Sequence, residues 1–174
     1  MIITLIICHK YIIGKLLPKG YAGVILVNVV GSGLAIIMLS FKVSGARRRC
    51  QNAAEAEGDK DAEARFSYPK MYAEGFSEQA KIFNCIQRGH QQALETYPQF
   101  LAASLVGGYR YPISATIGGL YWVLARVKYA EGYSTGDPKK RYEHWSSRGV
   151  WAGLLWQFGA AASTAVSLLV INDK

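Results

Sequence analysis

An all-α bundle of four membrane-spanning helices, preceded by an extra apolar segment, is the fold this sequence predicts. Three observations carry that expectation. First, 51% of the residues are hydrophobic and only 18% are charged, a small share for a soluble domain of this length. Second, the apolar residues gather in blocks at about 20–43, 80–107, 112–133 and 148–171. Each block is near the ~20 residues a helix needs to cross a bilayer. Third, Lys and Arg divide unevenly. Residues 42–81 hold eight and residues 126–148 hold six, against three before Gly20, one at Arg110 and one at Lys174. By the positive-inside bias, both basic loops belong on the cytosolic or matrix side. A net charge of +8 spread in this way suits lipid headgroups and argues against a nucleic-acid partner.

Residues 1–18 are the extra segment, with Ile2, Ile3, Leu5, Ile6 and Ile7 ahead of Lys10 and Lys15. A signal peptide has its cationic region first and a small-residue cleavage site last, and this segment has neither. It reads as an interfacial helix or a partner contact, leaving residues 19–174 as the membrane domain. The first span carries Asn28 and Gly31-Ser32-Gly33. With no preceding strand and no third glycine this is not a nucleotide fingerprint, and close helix packing is the expected use. Gly45, before Arg47, Arg48 and Arg49, predicts the helix end at the interface. Residues 51–64 hold no large apolar side chain and read as a polar insert, a solvated loop or a short surface helix. Cys8, Cys50 and Cys85 have neither paired nor metal-like spacing, so free thiols are expected and no metal site.

The second span is unusual. Asn84, Arg88, Gln91/Gln92 and Glu95 recur at steps of three and four, which makes one polar stripe on one helix face. An arginine or acid at mid-bilayer costs ~2.5–3.5 kcal/mol on insertion scales, so the stripe must face other helices or a polar ligand. Pro98 follows within the same span and predicts a kink. The third span ends in Trp122, Arg126, Tyr129 and Tyr133, again a single face, and then a basic turn, Gly136 to Arg141. Trp145 and Trp151 suit an aromatic belt, and Gly149 and Gly153 in the fourth span suit a helix contact.

Two polar faces rising from the same basic side suggest a pocket between helices. Its inventory is Arg48, Arg88, Arg126, a basic turn, the carboxylate of Glu95, amides and two phenols. Arginine forks hold carboxylates in bidentate fashion and Glu95 can take an ammonium, so a small zwitterion with several carboxylates would fit. An internal network, with Arg88 paired to Glu95 across two turns, accounts for the same residues. No Ser-His-Asp set, zinc spacing or phosphate loop is present.

Phe83-Asn84-Cys85-Ile86-Gln87-Arg88 with His90-Gln91, Leu94-Glu95 and Tyr97-Pro98 resembles the second helix of the MAPEG family, the membrane-associated proteins in eicosanoid and glutathione metabolism. Ala125 to Tyr129, Gly132-Tyr133 and Thr135 to Pro138 resemble its third helix and following turn, nearest to the type 3 microsomal glutathione transferases. The resemblance implies a four-helix protomer in the endoplasmic reticulum or mitochondrial membrane. It implies a homotrimer, with glutathione held between protomers. The implied activity is glutathione transfer to lipophilic electrophiles or glutathione-dependent reduction of lipid hydroperoxides. A catalytically silent subunit of a larger membrane complex, such as a respiratory complex, is the alternative. Carried over by position, the glutathione-holding residues are Arg47, Arg48, Arg88, His90, Gln92, Glu95, Tyr129 and Tyr133, and the thiolate-stabilising arginine is Arg141, with Lys140 as alternative. The sequence departs from the family at Gln92, where an asparagine is usual, and with insertions at 51–64 and 142–145. Residues 1–18 have no counterpart.

Overall fold

The computed structural model describes residues 17–172, so the apolar extension, Cys8 included, lies almost wholly outside the described residues. Four long helices pack side by side: α1, Tyr21–Ala56; α3, Glu78–Arg110; α4, Pro112–Tyr133; and α5, Gly149–Asn172. A short helix, α2 (Ala62–Phe66), lies in the connection from α1 to α3. Two 3-10 turns, Pro138–Tyr142 and Trp145–Arg148, join α4 to α5. No strand occurs among the described residues. α3 is the central helix, packed on α1, α4 and α5.

Local chemistry sets the ends. Ser77 caps α3, its hydroxyl accepting from the Ala80 amide at 3.2 Å. Pro112 opens α4, where a missing N–H leaves nothing unsatisfied. α3 runs unbroken through Pro98 and on to Arg110, three residues past the expected end.

Two helices, Tyr21–Ala56 and Trp145–Ile171, are long and apolar enough to cross a membrane. Only 28% and 17% of their apolar windows is buried within the chain, whereas the core helix of a soluble protein hides its apolar side chains. Leu26, Leu34, Phe41, Leu155 and Leu169 stand exposed, and α4 adds a stripe of Ile113, Ile117, Leu120 and Leu124. Polar ties hold the helices together beneath that surface. The first turns of α1 pass into a π-helical segment, Ile25–Gly31, in which Asn28 is fully buried. Its Nδ2 donates to the Ala115 carbonyl at 3.0 Å, and Gln157 of α5 donates to the same oxygen at 2.9 Å. A side chain at Gly119 would occupy the Asn28 amide, so glycine is what opens this carbonyl to a second helix. Gly149 and Gly153 do serve as a helix contact: a Cβ on either would meet Tyr121 or Trp122 of α4 at 2.6–2.8 Å.

The helix end expected at Gly45 does not occur. α1 continues to Ala56, and half of the polar insert is its last turns. The reason is a stripe of small residues, Ala46, Cys50 and Ala54, one turn apart. They bury against Ala62 and Phe66 of α2 and Ala80 and Phe83 of α3. Phe66 and Phe83 meet edge to face at 5.7 Å between ring centres. At 1.5 Å per residue α1 and α3 are each ~50 Å long, well beyond the ~30 Å of a bilayer's hydrocarbon. The end of α1 and the start of α3 pack together through that small-residue stripe as a small extension at the basic end of the bundle.

Candidate functional site

A cleft of about 420 Å³ opens at that end. Lys81, Asn84 and Arg88 of α3 and Tyr133 of α4 give it polar groups, and Gly75, Phe76, Cys85 and Pro138 give it apolar surface. Lys81, Asn84 and Arg88 recur at steps of three and four, so they share one face of α3.

One wall is the connection from α2 to α3, and side chains grip its backbone. Arg47 of α1 is buried and donates to the carbonyls of Phe66 (2.8 Å) and Lys70 (2.7 Å), with a longer bond to Ser67 (3.5 Å). Its guanidinium also lies 4.5 Å from the centre of the Tyr68 ring and 4.6 Å from that of Phe83. Asn84 closes on Ala73 from both sides, accepting from its amide at 2.7 Å and donating to its carbonyl at 2.8 Å. Arg65 binds Asp59 at 3.0 Å and donates to the carbonyl of Glu74.

The other wall is the end of α4 and the turn after it. Tyr129 is buried, with Tyr133 and Tyr142 both edge-on to its ring at 5.3 Å. Trp151 of α5 donates to the Tyr142 hydroxyl at 2.9 Å. Arg141 lies over the rings of Tyr142 (5.1 Å) and Tyr133 (5.9 Å) and donates to the Pro138 carbonyl at 2.6 Å. Gly132 lets the turn fold back onto α4, since a Cβ there would meet the carbonyl of Lys140 and lie 2.8 Å from Cα of Arg141.

Of the residues singled out by sequence, Arg88 and Tyr133 line the cleft. Glu95 lies two turns along α3 and receives both terminal nitrogens of Arg88, one at 3.2 Å, on a face about half exposed. Tyr129 and Arg141 both pack on the Tyr133 ring, and Lys140 is exposed on the turn. Arg48 is exposed on α1, and His90 is half-buried two residues from Arg88, hence on a different face. Arg47 and Gln92 point inward. Gln92 accepts from Arg126, whose other terminal nitrogen donates to Thr96 at 2.8 Å. Arg126 is fully buried, has no carboxylate partner among the described residues, and rests 4.7 Å from the centre of the Trp122 ring. Amide, hydroxyl and ring face offset part of the cost of burying that charge.

Sequence reasoning missed Lys81 and the Gly75-Phe76 wall. Lys81 is simply the polar stripe continued one turn earlier. Phe76 carries no signal in a single sequence, because only the clamps on the neighbouring backbone bring it to the cleft. Cys50 and Cys85 are both free and buried. Cys50 is buried in the packed extension among Ala46, Ala54 and Phe83, a packing position. Chemically, the cleft offers cations, a phenol and apolar surface, a set suited to an anionic ligand with an apolar part. Among known proteins, the model described as the MAPEG family matches residues 25–166.

Proposed function

The chain belongs to the MAPEG family, and from that premise we propose that it is a membrane-bound glutathione transferase or glutathione-dependent peroxidase, nearest in kind to the type 3 microsomal enzymes. Arg88 and Lys81 bind carboxylates of glutathione, and Glu95 receives its ammonium once Arg88 turns to the ligand. Tyr133 donates from its hydroxyl, and Tyr129 fixes the Tyr133 ring. Arg141, or Lys140 beside it, favours the thiolate over the thiol, which ordinarily titrates near pH 8.5. In conjugation the thiol proton passes to solvent and the sulfur attacks an electrophilic carbon, displacing its leaving group or opening an epoxide. In peroxide reduction two glutathiones become the disulfide while the hydroperoxide becomes an alcohol and water. Arg47 acts from behind the wall by holding the loop. Arg48, His90 and Gln92 complete the set, Gln92 through Arg126. The four long helices span an endoplasmic reticulum or mitochondrial membrane, with the basic loops on the cytosolic or matrix side. The exposed Arg88–Glu95 face is covered by further copies in a homotrimer.

The observation that carries this reading is the shared cleft of Arg88 and Tyr133 at the basic end, with Arg141 over the Tyr133 ring. The test is glutathione binding by the purified protein in lipid nanodiscs, with thiolate absorbance read alongside. Arg88→Ala is expected to weaken binding about tenfold or more, the loss of one charge-assisted contact. Arg141→Ala is expected to remove the thiolate signal while leaving most of the binding. A folded protein that ignores millimolar glutathione would sink the enzyme reading.

One observation favours a second reading, a silent subunit of a larger membrane assembly. Arg88 already closes on Glu95, Arg126 on Gln92 and Arg47 on loop carbonyls, so the terminal nitrogens of all three arginines are engaged without a ligand. Binding without thiolate, together with stoichiometric partners that co-purify, would support it.

A further inference from the structure

Phe76 is completely exposed, although side chains of α1, α2 and α3 bond the backbone just before it. An aromatic side chain gains most when it is covered, and the chain covers Phe66 and Phe83 of the same region entirely. Phe76 is not left out by looseness. Arg47 fixes the backbone at Phe66 and Lys70, Asn84 fixes it at Ala73, and Arg65 fixes it at Glu74, two residues before Phe76. Gly75, with φ of 93°, takes the left-handed turn that lays Phe76 along the cleft. The ring therefore lines the same cleft as Arg88 and Tyr133, with Pro138 contributing from the opposite wall. The cleft thus combines a cation from Arg88, a phenol from Tyr133 and the exposed aromatic ring of Phe76.

We infer that Phe76 is a specificity-determining residue that binds the apolar body of the electrophilic co-substrate, or of its glutathione adduct, while Arg88 and Tyr133 hold the glutathione part. The inference rests on the glutathione reading above. Among the lipophilic electrophiles of that reading, it selects those whose aromatic ring or alkyl chain can reach Phe76. Small polar electrophiles gain nothing from this wall.

Binding of S-hexylglutathione and of glutathione, measured by calorimetry on the full chain in nanodiscs, tests it without requiring turnover. The hexyl adduct is expected to bind the native protein more tightly than glutathione. Phe76→Ala is expected to erase about three- to tenfold of that advantage while leaving glutathione itself unchanged, the scale of one aromatic contact. Phe76→Leu, which keeps an apolar surface, should restore most of it. Ile113→Ala, on the outer face of α4 at the other end of the bundle, controls for the hexyl chain partitioning into lipid and should change nothing. An advantage that survives Phe76→Ala would overturn the inference and leave glutathione binding intact. Failure of the native protein to bind either ligand would instead remove the glutathione reading, and this inference with it. Because Phe76 is exposed, its replacement does not endanger the fold, and a melting temperature equal to that of the native chain would verify this.

Discussion

The two walls of the cleft are held in opposite ways. The wall from α2 to α3 has no regular structure, so apart from the Lys70 amide on the Ser67 carbonyl its backbone looks outside the segment for partners. Three side chains from elsewhere supply them: Arg47, Asn84 and Arg65. The wall after α4 is a 3-10 turn that satisfies part of its own backbone, and what fixes it is contact. Gly132 admits the turn to within van der Waals range of α4, and Tyr129, Tyr133 and Tyr142 interlock. An irregular segment needs donors brought to it, whereas a regular one needs only a surface to fit. Removing a donor should therefore damage the first wall most, and disturbing a shape should damage the second.

The largest effect is expected at Arg47. Arg47→Ala leaves the Phe66 and Lys70 carbonyls without a buried donor and strips the faces of Tyr68 and Phe83. Two charge-assisted bonds at ~1.5–3 kcal/mol each put the loss at about 3 kcal/mol or more, read as a clear fall in melting temperature in nanodiscs. Arg47→Lys should recover little, because an ammonium cannot span two carbonyls with a planar fork. Proteolysis at residues 67–77 should accelerate in both variants. A melting temperature within experimental error of native for Arg47→Ala would show that contact, not donation, holds this wall as well.

Gly132→Ala is next. The added methyl would press on backbone, the Lys140 carbonyl and Cα of Arg141, which cannot rotate away as a flexible side chain could. Overpacking of this kind costs about 1–3 kcal/mol. Its particular signature would be functional. The turn that carries Arg141 must lift from α4, so the thiolate signal should fall further than glutathione affinity does. An equal fall in both would mean that the turn matters only for folding.

How legible these walls are in the sequence follows from the same contrast. The long helices are written in blocks of Leu, Ile and Val, and the stripe of Asn84, Arg88 and Glu95 is written in helical steps, so both can be read directly. Gly149 and Gly153 likewise declare a contact that α4 then makes. The packed extension is not legible, because its stripe is Ala46, Cys50 and Ala54, residues too small to lift the apolar signal of a segment crowded with charge. Its larger members, Phe66 and Phe83, lie in other segments, and only the tertiary fold brings them together. Arg47 shows the limit most clearly. By position it belongs with the ligand-holding arginines, yet the carbonyls it grips are 19 to 23 residues away along an irregular loop, a pairing no helical period encodes. Gln92 is similar: its extra methylene reads as a misfit until Arg126 is found at the end of it.

The smallest expected effect isolates the hydrogen bond that ties the second wall to α5. Tyr142→Phe removes the hydroxyl that Trp151 donates to and keeps the ring that packs on Tyr129 and Arg141. The bond joins partly exposed groups, so its loss should cost about 0.5–1 kcal/mol, a shift of a few degrees at most. If shape holds this wall, Tyr142→Phe should leave the thiolate signal near native while Tyr142→Leu, which removes the ring face under the guanidinium, lowers it. A fall as large for phenylalanine as for leucine would reverse the distinction. The Trp151 hydrogen bond would then be the clamp, and both walls would obey the rule of the first.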